Sequence, residues 1–141
     1  MSLKKEISKQ EVMNVLLAAC PSYKNRWLQY YKENYDDSEE QLLYSELTDF
    51  AYHFIDLYKH NQISEFPRIF EVIELLHTDG DDYVKEAATI GLLEDIQNLA
   101  LGEDINPDVF KQYLKPETQK WWIILNDFWN GKTENIGGPI K

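Results

Sequence analysis

The sequence predicts an all-α protein, and three observations carry that expectation. Apolar residues recur at the 3.6-residue helical period in one segment after another; no window alternates with period two between matching turns; and capping residues, prolines and glycines fall at the ends of the periodic stretches. Six or seven helices are expected, joined by short loops, as a compact HEAT-like α-α superhelix or bundle. The chain of 141 residues is read as a single domain over 1–141, long enough to bury a core without metal or disulfide staples.

Ser8-Lys-Gln-Glu11 is a capping box, so a helix should run to Cys20 with Val12, Val15, Leu16 and Ala19 on one face. Pro21 stops it, and Ser22 opens a second helix to Asn34 that carries Trp27, Tyr30 and Tyr31. After an acidic turn, Ser38-Glu-Glu-Gln41 reads as another capping box for a long helix to His60, with the stripe Leu43, Leu47, Phe50, Phe54, Leu57 and Tyr58. Residues 65–101 read as a HEAT-like hairpin: a helix from Glu65 to His77 with Pro67 in its first turn, a tight turn at Asp79-Gly80, and a return helix from Asp81 to Leu101 with Gly102 as its left-handed stop. Asn106-Pro107 opens a short helix to Leu114, and Pro116 a final one to Asn130, closed by Gly131. The tail, 132–141, is expected to be ordered only if it docks.

Composition narrows the function classes. Cys20 is the only cysteine, which excludes an internal disulfide and suits a reducing compartment. The first residues lack an apolar signal core, and no apolar run approaches the ~20 residues that span a bilayer. A cytoplasmic protein with no membrane partner is expected. The net charge of −11 is unevenly spread. Asp36 to Asp108 contains 19 acidic residues against Lys59, Arg68 and Lys85, a net of −16, while the remainder is +5. The acidic middle disfavours nucleic acid and would attract and steer a basic protein.

Asp95 breaks the pattern most clearly. On a helical wheel it sits mid-face among Val84, Ala88, Gly91, Leu92 and Leu99, where an ionised carboxylate needs a partner. Folding the hairpin about Asp79-Gly80 sets it opposite Ser64, near the free N–H groups of the preceding helix, with Arg68 as the nearest base. It is either an interhelical cap or, with Glu94 beside it, a functional carboxylate. His77 lies on the apolar side of its helix and reads as a hydrogen-bonded core residue. Glu74-x-x-His77 has the spacing of di-iron bundles but lacks the second copy such sites need. An EF-hand alignment fails because its first ligand position is Leu75. The cluster Asp79, Asp81 and Asp82 therefore reads as a turn and a helix N-terminus. Cys20, before Pro21 on a buried face, shows no activating context, and no phosphate loop or nucleophile elbow is present. No catalytic residue, metal or cofactor is assigned. In the last helix Trp121, Trp122, Leu125, Phe128 and Trp129 span a broad arc, so one tryptophan can reach the surface.

The segments IFEVIELLHTDGDDYVKEAATIGLLEDIQN and WWIILNDFWNG resemble a family of small, uncharacterised bacterial proteins. These pair a helical hairpin ending in Gly-hydrophobic-Leu-Glu with a late Phe-Trp-Gly segment. The resemblance covers Glu40 to Gly131, and its matching positions are Glu74, Gly91, Leu93, Glu94, Trp122, Phe128, Trp129 and Gly131. It brings no active-site residues; it implies relatives among the immunity proteins of toxin systems. The expectation is a non-enzymatic protein-binding module, an immunity-type inhibitor of a basic toxin. Its candidate contacts are Asp36, Asp37, Glu39, Glu40, Asp79, Asp81, Asp82 and Tyr35. Asp95, Glu94, Arg68 and His77 are candidate structural polar residues. The alternatives are a helical adaptor with incidental acidity and, third, a small-molecule or metal-dependent activity around Asp95, Glu94 and Glu74.

Overall fold

In the computed structural model, residues 5–35 and 40–129 are described, Trp129 by its backbone alone. Seven α-helices build the described chain: α1 (Val12–Ala19), α2 (Lys24–Asn34), α3 (Leu43–Lys59), α4 (Phe66–Asp79), α5 (Asp82–Glu86), α6 (Glu94–Gly102) and α7 (Pro116–Trp129). Short 3-10 turns lead into α1 and α2, and a longer one, Pro107–Tyr113, precedes α7. Among the described residues the only β-type pairing is a bridge: Ile7 N–H donates to Asp79 O and Ile7 O accepts from Asp81 N–H, so the N-terminal segment laces across the α4–α5 corner.

The expected apolar stripes form the core. Leu16 of α1, Phe50 and Phe54 of α3, Phe66, Phe70 and Ile73 of α4, and Trp122 of α7 are fully buried. Helix α4 packs against α1 and against α7, while α3 lies along α6. Phe54 and Phe66 stack with centroids 4.3 Å apart, and Phe110 from the 3-10 turn closes on Phe54 at 5.1 Å. Such aromatic contacts add to the burial gain, which scales with apolar area removed from water.

Several local expectations are corrected. Helix α3 starts at Leu43, not at the 38–41 box, whose Ser38 and Glu39 lie outside the described residues; Gln41 instead turns its amide onto Glu46. At the Asp79-Gly80 corner the Gly80 backbone is extended, φ −69° and ψ 155°. Glycine is needed there for space, since a Cβ would lie 2.5 Å from both Leu76 O and Val84 Cγ1. The left-handed residue after α6 is Asp104, φ 59°, not Gly102. The trailing 132–141 segment and Gly131 lie outside the described residues.

The largest correction concerns the hairpin's return arm. Residues Ala87–Leu93 form a π-helical turn between α5 and α6. A π turn holds one residue more than an α turn, so every side chain beyond it is rotated. Val84 is buried before the turn; within it Ala88, Leu92 and the adjacent Leu93 are all buried, and after it the buried row is Ile96, Gln97 and Ala100. Asp95 and Leu99, mid-face on an unbroken helix, are thereby moved to the border. The arm also diverges from α4: close to the corner it touches α4, but α6 packs on α3. The expected pairing of Asp95 with Ser64 cannot form in that geometry.

Candidate functional site

Asp95 faces α3, where its Oδ2 accepts the Thr48 hydroxyl at 2.7 Å. Neither Ser64 nor Arg68 is its partner; Arg68 is exposed and pairs with Glu71 at 3.6 Å. Burial raises the Asp95 carboxyl above its usual range, with the Thr48 bond pulling the other way. Glu94 is raised too, by burial and then by the neighbouring Asp95 charge.

His77 is a core residue, as its apolar position predicted. Its Nδ1 lies 3.0 Å from Ile73 O and its Nε2 2.8 Å from the Thr89 hydroxyl, an arrangement satisfied by a neutral ring with the proton on Nδ1. Burial lowers its pKa. Glu74 does not join it in a metal site. Its carboxylate caps α7, accepting the N–H groups of Glu117 and Thr118 at 3.1 and 2.9 Å and the Thr118 hydroxyl at 2.8 Å. Burial would raise its pKa, but these bonds outweigh burial and hold it below the ordinary carboxyl range. Among the described residues no group of three or more His, Cys, Asp and Glu is arranged to hold a metal, and no helix is long and apolar enough to cross a membrane.

A second polar cluster escaped the sequence reading because its members lie on three elements. Ser22 Oγ is 3.0 Å from His53 Nε2, the separation of a nucleophile and its base. Glu65, however, accepts from the Ser22 hydroxyl, from Ser22 N–H at 3.1 Å and from the Cys20 thiol at 3.3 Å. The carboxylate thus engages the serine rather than orienting the histidine, and it acts as a long-range cap for the turn into α2. Burial pushes the Cys20 thiol up to about 12.

A concavity lies where α1, α2 and the start of α3 meet. It has a volume of about 440 Å³ and is lined by Gln10, Met13, Asn14, Trp27, Leu28, Tyr31, Tyr35, Gln41 and Glu46. The helical spacing of Trp27, Tyr30 and Tyr31 puts their rings on one side of α2: Trp27 lies 6.1 Å from Tyr30 and 5.9 Å from Tyr31, and Tyr35 lies 5.2 Å from Tyr31 (centroids). Leu28 and Tyr31 are each 55% exposed, and neighbouring Leu42 is 57% exposed. At the floor sits Glu46, 1% exposed, with Tyr35 Oη donating to Oε2 at 2.6 Å and Gln41 Nε2 to Oε1 at 2.7 Å. Tyr35 also accepts the Leu42 N–H at 3.0 Å, which ties the chain entering α3 to the end of α2. Burial, followed by the Glu46 bond, raises the Tyr35 phenol above its ordinary value. Sequence analysis singled out Tyr35 but not Glu46. The available signal was an acid beside Leu47 within the apolar stripe of α3.

Of the candidate contacts, Glu40 is exposed and meets Lys9 at 3.4 Å. Lys9 also stands 5.6 Å from the ring centroid of Tyr83, the residue after Asp82, so one base meets both Glu40 and the first turn of α5. Asp81 is the N-cap of α5, accepting Val84 N–H at 2.9 Å; Asp82 is exposed, and Asp79 is half-buried with the Thr78 hydroxyl at 3.0 Å. Asp36, Asp37 and Glu39 lie outside the described residues. In the last helix Trp122 is buried, whereas Trp121 is half-buried under Lys120.

A family described as a domain of unknown function, DUF7674, matches residues 13–130. No curated protein and no solved structure matches the chain. With most of its length covered, all of α2 to α7 included, the chain belongs to the DUF7674 family.

Proposed function

We propose that this protein is a protein-binding module that docks a basic partner over the α1–α3 cleft. The observation that carries the reading is the coincidence of exposed Leu28, Tyr31 and Leu42 with a concavity floored by a carboxylate. Exposed aromatic and aliphatic side chains around a pocket supply binding energy that surface charge does not. The net charge of −11 supplies long-range attraction. In sequence, Asp36, Asp37 and Glu39 fall between Tyr35 and Gln41, both of which line the cleft. An immunity-type inhibitor that masks a basic toxin is the finer form of this reading, with a HEAT-like hairpin as its scaffold and the cytoplasm as its compartment.

One observation favours an adaptor whose acidity is incidental. Acids pair with bases all along the chain, as in Lys9–Glu40, Arg26–Asp56, Lys59–Glu103, Lys111–Asp108 and Lys120–Glu117, which dilutes a single negative face. The two readings separate in one experiment. Wild-type protein and a Leu28→Ser/Tyr31→Ser variant are used as baits in extracts of the source cells at two salt concentrations. Docking of a basic partner predicts basic proteins held by the wild type, weakened by salt and lost with the variant. Recovery of the same proteins by both baits removes the cleft from the interface. Salt-independent binding of a neutral or acidic partner supports the adaptor.

A further inference from the structure

We propose that the α1–α3 cleft receives a cationic side chain, arginine or lysine, of the protein partner, with Glu46 as its charge complement; this rests on the docking reading above. The argument comes from a comparison within α3. One turn apart, Glu46 and Asp49 each accept a tyrosine hydroxyl at 2.6 Å, from Tyr35 and Tyr23 respectively. Asp49 is completed by Arg26, whose Nη2 lies 3.0 Å from Oδ1. Glu46 is the more deeply buried of the two and the only buried acid among the described residues. Yet among those residues no Lys, Arg or His lies within ion-pair distance of it. Its second donor is the neutral amide of Gln41.

Buried carboxylates are ordinarily matched by a full countercharge. The first turn of α3 contributes only the partial positive charge of a helix start, roughly half a unit. The cleft above Glu46 is walled by Trp27, Tyr31 and Tyr35, whose ring faces attract cations. A guanidinium or ammonium entering there replaces the Gln41 amide with a charged donor while its aliphatic stem covers Leu28 and Met13. The cation place that Arg26 fills for Asp49 is thus supplied for Glu46 by the partner.

The test uses the wild-type chain and small probes, so it does not depend on a variant folding. The Trp27 indole and Tyr35 ring resonances are followed by NMR during titration with the Nα-acetyl amides of arginine, lysine and citrulline, the last a neutral isostere of arginine. The expected result is saturable shifts at these rings for a cationic probe, with citrulline weaker by roughly tenfold or more. Equal response to arginine and citrulline, absence of saturable shifts, or shifts mapping away from the cleft overturns the inference. A Glu46→Gln variant with unchanged circular dichroism should abolish the discrimination; retained discrimination also overturns it. If the Leu28/Tyr31 variant loses partner while the probes show no preference for charge, docking stands and the cation assignment fails. Charge-selective probe binding without cleft-dependent partner capture removes the docking reading on which the inference depends.

Discussion

Replacing Glu74 with alanine removes the device that fastens α7 to α4. Three donors lose their acceptor at once: the N–H groups of Glu117 and Thr118 and the Thr118 hydroxyl. Hydrogen bonds to a charged group contribute about 1.5–3 kcal/mol each, but the two N–H groups open a helix and can regain water. Thr118, fully buried, keeps only a 3.3 Å contact with His77 Nδ1. Losing a helix cap typically costs about 0.5–2 kcal/mol, and stranding a buried hydroxyl adds about 1–3 kcal/mol. The expected loss is about 3 kcal/mol, which for a domain of this size lowers Tm by roughly 6–12 °C. Glu74→Gln, which retains one acceptor oxygen, should lose about half as much. Urea unfolding followed by circular dichroism and tryptophan fluorescence measures both. The sign with pH follows from the depressed carboxyl. Its contribution is present above the unfolded carboxyl pKa and is lost as pH falls through the lower folded value, so wild type and Glu74→Ala should converge under acid conditions. A loss below about 1 kcal/mol for alanine at neutral pH, or a gap that widens on acidification, refutes the capping role.

Asp95→Asn should stabilise the protein by about 0.5–1 kcal/mol at pH 7, because the amide oxygen keeps the Thr48 bond and the half-buried charge is gone. Since the folded carboxyl is raised, the charged form penalises the fold above that pKa, and the gain should vanish below the unfolded value when unfolding is repeated near pH 3. Gly80→Ala should cost about 1–3 kcal/mol by overpacking against Leu76 O and Val84. Gly102→Ala should instead be neutral or add up to about 1 kcal/mol: no atom lies within 4 Å of the added Cβ and the backbone is not left-handed. A destabilised Gly102→Ala protein in the same urea assay would contradict that conformation. Cys20, buried and with its thiol shifted to about 12, should resist thiol reagents at pH 8 until urea unfolds the chain; rapid native-state labelling would show the site to be open.

The helices were legible from the sequence because their causes are local. The stripe from Leu43 to Leu57, the Ser8–Glu11 capping contact at 2.9 Å and the Asn106 cap before Pro107 all depend on residues within a turn or two of one another. His77 was placed correctly for the same reason, since its neighbours on the apolar face of α4 decided its surroundings. The partner of Asp95 was misplaced, on α4 instead of α3, because a wheel assumes an unbroken period. The π turn at Ala87–Leu93 shifts that period, with Gly91 leaving room for Tyr44 of α3, whose Cδ2 would lie 3.3 Å from an added Cβ.

The sequence by itself determined the all-α class, nearly every helix, the burial of His77 and Cys20, and an acidic chain. Only the tertiary structure decided that Glu46 and Asp49, one turn apart and both tyrosine-bonded, differ in having a base beside them. It also decided that Tyr35 and Trp27 wall one cleft and that Glu74 serves α7. The reason is range: hydrogen bonds within a turn are encoded by neighbours in the chain, whereas which helix faces which is settled by how all the apolar stripes bury one another at once.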